Sequence, residues 1–202
     1  HYPQASVSML LRNTTRSLEP AGGTLGQALG LVNGAVFSDL DGDRFPELIV
    51  ATEWGPVRVF KNQQGTFSEV TEALGLGGLT GLWQGVATGD FDGDGRTDIV
   101  ATNWGLNSSL RPSLINPPRL YYHFTDSSVP TSLILAAWDD RLKQYLPTRD
   151  LLSLFRGYAG LRGVFQSHRE YAEAGVLKLM DYHPAAAHSV TAAVLQSLVF
   201  LN

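Results

Sequence analysis

Gly34-Ala35-Val36-Phe37-Ser38-Asp39-Leu40-Asp41-Gly42-Asp43 returns 51 positions later as Gly85-Val86-Ala87-Thr88-Gly89-Asp90-Phe91-Asp92-Gly93-Asp94. Each copy continues to one more acid, Glu47 or Asp98, and then through apolar β-formers to Trp54-Gly55 or Trp104-Gly105. The second copy is one residue shorter on the way. A repeat of this length is read first, because a chain that repeats a supersecondary unit builds its core by stacking copies.

Working outward, a second landmark recurs. Ser8-Met9-Leu10-Leu11-Arg12-Asn13 matches Arg58-Val59-Phe60-Lys61-Asn62, and each is followed by Leu-Gly-Leu, at Leu29–Leu31 and Leu74–Leu76. Val199-Phe200-Leu201-Asn202 reads as a third copy, the returning strand of a further blade in an array cut short. Leu48–Ala51 and Val57–Phe60 are short runs of branched and aromatic residues bounded by Gly, Asn and Asp, which is the pattern of strands. No helical periodicity appears before position 140. A period near 50 residues with several strands per period fits propeller blades of about four strands each. The expected fold is mainly β: a partial β-propeller of about three blades of antiparallel strands, with a short-helix insertion near the C-terminus. The expected division is 1–135 for the blades, 136–188 for a strand pair and the helical insertion, and 189–202 for the returning strand.

The acidic stretches read Asp39-x-Asp41-Gly42-Asp43-x-Phe45-x-Glu47 and Asp90-x-Asp92-Gly93-Asp94-Gly95-Arg96-x-Asp98. Four carboxylates within nine residues repel one another unless a cation stands among them. An oxygen-only set suits a hard cation, and calcium tolerates more oxygens in looser geometry than magnesium. Position 7 adds a backbone carbonyl, from Phe45 and Arg96. The EF-hand alternative needs Glu at position 12 between two helices, but Val50 and Ala101 stand there. The plainer alternative is a pair of solvated Asp/Gly turns without metal. Two loops of one spacing and one set of flanks weigh against it.

The run Asp-x-Asp-Gly-Asp-x-x-x-Asp/Glu, preceded by Gly85-Val86-Ala87 and followed by Ile49–Thr52 or Ile99–Thr102, resembles the FG-GAP/VCBS repeat of integrin α-subunit propellers and many bacterial secreted proteins. The resemblance covers residues 8–107. It implies two calcium ions, held by Asp39, Asp41, Asp43, Phe45 and Glu47 and by Asp90, Asp92, Asp94, Arg96 and Asp98, in a protein that is extracellular, at the cell surface or periplasmic. Asn103–Ser108 followed by Leu120-Tyr121-Tyr122 is similar to a bacterial subgroup in which an ASPIC-type domain often follows the propeller. In that subgroup a third acidic loop is expected after the Tyr-rich strand. Here His123, Thr125, Ser127 and Thr131 take its carboxylate positions, so no calcium is expected there.

Beyond Pro147 the pattern turns helical. Thr148 or Asp150 can cap a helix with Leu151, Leu154 and Phe155 on one face. Leu161–Phe165 and His168–Met180 read as further short helices, with Tyr171, Val176, Leu177 and Met180 facing inward. His168, Arg169, Glu170, Asp181, Tyr182, His183 and His188 form a polar group without metal-binding spacing, and Ser, His and Asp define a triad only by geometry. Trp54, Trp83 and Trp104 are read as packing residues, with a rim platform for ligands as the alternative. Asn13-Thr14-Thr15 and Asn107-Ser108-Ser109 match the glycosylation sequon.

Composition narrows the function. The 202 residues carry a net charge of −4, are 44% hydrophobic and include no cysteine. Disulfides and thiolate metal sites are excluded, Lys and Arg are not concentrated as a nucleic-acid partner requires, and no apolar run approaches the roughly 20 residues of a membrane span. The expected function is a binding module for a protein or glycan. A propeller-based, calcium-dependent carbohydrate lyase or hydrolase is the alternative, and it would need acid and base residues gathered in one cleft.

Overall fold

The computed structural model describes residues 2–20, 25, 28–124, 130–157, 164–179 and 188–202. The chain is mainly β, with antiparallel sheets and, among the described residues, three short helices. It packs as two units, one of residues 2–107 with 192–202 and the other of residues 108–191.

The first unit is the partial propeller. β1 (Leu11–Asn13) and β2 (Leu18–Pro20) form a hairpin. β3 (Leu31–Ser38), β4 (Glu47–Gly55), β5 (Arg58–Gln63) and β6 (Thr66–Glu69) form a four-stranded meander, with the short β7 (Gly81–Leu82) on the end of β4. The first acidic loop joins β3 to β4. β8 (Gly85–Gly89) and β9 (Asp98–Thr102) repeat β3 and β4 around the second loop. Registers make the repeat physical: Ser38 pairs Glu47 at the mouth of the first loop, and Gly89 pairs Asp98 at the mouth of the second.

β4 is buried on both faces, which explains its unbroken apolar run. Leu48 and Val50 pack with Leu25, Leu29 and Phe60 on one side. Ile49 and Ala51 pack on the other with Val57, Val59, Leu76, Trp83, Ile99, Ala101 and Val194. Side chains alternate across a strand, so a strand between two layers needs apolar residues at every position. Gly34 faces Gly85 so closely that a Cβ on Gly34 would lie 3.1 Å from the Gly85 Cα. The same glycine in both repeats lets β3 and β8 meet backbone to backbone.

The second unit holds β10 (Arg119–Phe124), β11 (Pro130–Asp139), β12 (Gln144–Pro147) and, after the helices, β13 (His188–Thr191), in the order β12-β11-β10-β13. α1 (Leu151–Gly157), α2 (His168–Glu173) and α3 (Val176–Leu179) pack on this sheet through Leu151, Leu154, Tyr171, Val176 and Leu179 against Tyr121, Ile134 and Ala136. Asp150 caps α1 by accepting the Ser153 N–H at 2.9 Å. Ser167 caps α2 by accepting the Glu170 N–H at 3.1 Å. The stretch expected as one helix over His168–Met180 breaks between α2 and α3 at Ala174, whose backbone is extended. The expected positions 161–163, 180–183 and most of the third loop lie outside the described residues.

The domain boundaries differ from the sequence expectation. β11 runs through residue 135, so the break falls at 107/108 instead. Residues 189–202 divide between the units: β13 pairs β10, whereas β14 (Leu198–Phe200) pairs β9. β14 is therefore not the returning strand of a further blade. It completes the one begun by β8 and β9, in the place that β5 holds beside β4. The chain leaves this blade after Trp104-Gly105 and returns beside its point of departure, where the Gly105 N–H donates to the Leu195 carbonyl at 2.7 Å. The whole second unit is an insertion between the second and third strands of one blade.

Candidate metal-loop site

Each loop folds around its first aspartate. Asp39 accepts the N–H groups of Gly42 at 2.8 Å and Arg44 at 2.9 Å. Asp90 accepts those of Gly93 at 2.7 Å, Asp94 at 3.1 Å and Gly95 at 2.9 Å. Further bonds run from the Asp43 N–H to Asp41 and from the Phe45 N–H to Asp43, matched by Asp94 to Asp92 and Arg96 to Asp94. Gly42 and Gly93 take φ of +79° and +82°, the left-handed turn that glycine adopts without a steric cost.

The folding draws Asp39, Asp41 and Asp43 together, and likewise Asp90, Asp92 and Asp94, with one carboxylate oxygen of each residue within 4.8 Å of the others. The ninth-position acids are placed differently. Glu47 and Asp98 are buried. Glu47 accepts the N–H groups of Leu40 at 2.9 Å and Asn62 at 3.4 Å. Asp98 accepts those of Phe91 at 2.8 Å and Asn202 at 2.9 Å. Each thus ties the loop's second residue to the third strand of its blade. The asparagine side chain reaches back to the residue before the acid: Asn62 donates to the Pro46 carbonyl at 3.0 Å and Asn202 to the Thr97 carbonyl at 3.3 Å. Phe45 and Arg96 follow the clustered acids, their N–H groups already engaged.

The loops differ in the cations beside them. The Lys61 ammonium, from β5, bonds to Asp41 and lies 3.1 Å from Asp43. Arg96, inside the second loop, meets Asp94 alone, at 2.7 and 2.5 Å. That guanidinium holds Asp94 below the usual carboxylate range, and Asp94 in turn raises Arg96. Sequence reading passed over Lys61, whose only signal is its place just before the repeated asparagine. The tryptophans do not pack alike: Trp83 is fully buried at the centre of the blade core, whereas Trp104 is exposed.

The second unit has a cleft of about 600 Å³, with Arg119, Tyr121, Trp138, Tyr145, Glu170 and Lys178 among its lining residues. Tyr145 meets Trp138 and Tyr121 edge to face, and the Arg119 guanidinium lies 4.4 Å from its ring centre. Burial pushes the Tyr121 phenol up. Glu170 is 3.5 Å from Lys178, and Glu173 is 3.4 Å from Arg169. His168 and Arg169 of the expected polar group begin α2, and His188 stacks on Tyr122 in the sheet.

The fold and the paired loops define a β-rich repeat protein with duplicated acidic hairpins. A family model described as an FG-GAP-like repeat matches residues 39–101, spanning both loops. No curated protein and no solved structure matches the chain.

Proposed function

We propose that the chain is a calcium-stabilised segment of an extracellular β-propeller, of the VCBS and integrin-α kind, that serves as a binding module for a protein or glycan. The observation that carries the reading is the duplication: two loops of one backbone course, each gathering three carboxylates at a point and each anchored to its blade by a buried acid and an asparagine. Fit to a cation is supported by the all-oxygen donor set and by Lys61, whose ammonium stands in for a cation between Asp41 and Asp43. Asp39, Asp41, Asp43, the Phe45 carbonyl and Glu47 would hold one ion, and Asp90, Asp92, Asp94, the Arg96 carbonyl and Asp98 the other. Calcium would neutralise the carboxylates. The chain's own N–H groups already set the loop's shape, and Glu47 and Asp98 pass that rigidity to the third strand.

A concave, mostly apolar site with a few polar groups is the usual form of a ligand pocket. The aromatic cleft of the second unit meets that description and is the place where recognition is proposed. The two glutamates there both have cationic partners, so recognition is favoured over lyase or hydrolase turnover.

Calcium should raise the melting temperature by roughly 5–10 °C at a hundredfold excess over Kd, and Asp41→Ala with Asp92→Ala should remove that rise. An unchanged wild-type melting curve with calcium sinks the metal reading. A glycan and protein array, run beside turnover assays on acidic polysaccharides, separates binding from catalysis, and product formation would favour the enzyme.

A further inference from the structure

We infer that the two acidic loops are inequivalent: two acids of the first are bridged by a cation built into the fold, Lys61, whereas no cation bridges the acids of the second, which binds a metal ion more tightly. This rests on the proposal that the loops take calcium.

Strand register fixes the comparison. Leu48 pairs Phe60 in the first blade, and Ile99 pairs Phe200 in the second. Counting one residue on, Lys61 corresponds to Leu201, and the next pair is Asn62 and Asn202, whose bonds to Glu47 and Asp98 are alike. The frameworks match, so the difference between Lys61 and Leu201 is local. Lys61 is less than a third exposed and touches two of the three clustered carboxylates. Leu201 is largely exposed and carries no charge.

Arg96 does not restore the balance. It hydrogen-bonds to Asp94 alone and bridges no two acids, its side chain is 63% exposed, and it lies within the loop rather than across from it. Among the described residues no cation is hydrogen-bonded to Asp90 or Asp92, and Arg96 reaches Asp92 only through space; Asp90 takes backbone N–H groups only. An incoming ion at the first loop must displace an ammonium bonded to two carboxylates, and charge-assisted bonds are the stronger kind. At the second loop it displaces nothing that bridges the acids.

The test is calorimetric titration of the purified protein with calcium chloride. Wild type should show one tight site and one weaker by about tenfold or more, the scale of losing one or two charged hydrogen bonds. Asp92→Asn should leave only the weaker site. Adding Lys61→Leu, which copies the second blade, should tighten that remaining site by about tenfold. Lys61→Met serves as a second variant against a folding defect. In chelator, either Lys61 variant should melt about 1–4 °C below wild type. Two equal sites in wild type, unmoved by the Lys61 variants, would overturn the inference and leave the calcium reading standing. Uptake of no calcium by wild type would end both.

Discussion

Arg44 and Gly95 occupy the sixth position of their loops, and both have left-handed backbones, at φ of +70° and +85°. A side chain in that region costs about 1 kcal/mol or more, a cost that Gly95 avoids and Arg44 bears. Gly95→Ala should therefore lower stability by about 1 kcal/mol in chemical denaturation, whereas Arg44→Gly should cause no loss. The acids of both loops are legible in the sequence because their spacing is the signal. Lys61 is not, because its role depends on which residue of a later strand comes to lie across from the loop. The separate role of Glu47 and Asp98 is hidden for the same reason: spacing places them beside the clustered acids, and only burial against the Asn62 and Asn202 N–H groups distinguishes them.

Among the elements, β4 could be recognised from its apolar run and β8–β9 from repetition. The sheet of the second unit was only half legible. Residues 144–147 and 188–191 are short strands without repetition, and the pairing of β13 with β10 joins segments far apart in the chain. The helices were visible through Asp150 and the Leu151/Leu154 pair, and both features act as expected. Tyr171 on α2 supplies a test at this scale. Its phenol bonds to the Arg149 carbonyl, and burial, aided by the negative charge of Asp150, pushes its pKa up to about 12. An unfolded tyrosine titrates near 10. The folded state therefore keeps its proton while the unfolded state loses one, and stability should fall as pH rises from about 10 to 12. Tyr171→Phe should flatten that part of the stability curve, measured by denaturation at stepped pH.

For the molecule as a whole, the placement of residues 108–191 between two strands of one blade makes a direct prediction. The first unit has its own core around Trp83, Ile49 and Val59. Replacing residues 108–191 with a flexible Gly/Ser linker should leave a β-rich unit that melts cooperatively, followed by circular dichroism; loss of the transition would show that the unit needs its insertion. The sequence pattern makes Val199–Asn202 the returning strand of a further blade, because repeats are normally read in chain order. The motif was recognised correctly, and its partner strand was not, since nothing local marks β14 as the neighbour of β9.

That interruption also has a consequence for synthesis. Ile99 meets Phe200 only after about a hundred intervening residues have left the ribosome, which at about 5–20 residues per second takes ~5–20 s. Until then the outer edge of β9 waits without its native neighbour. Exposed edges invite foreign pairing, so the nascent chain is most vulnerable to misassembly in that interval, while residues 108–191 are being made.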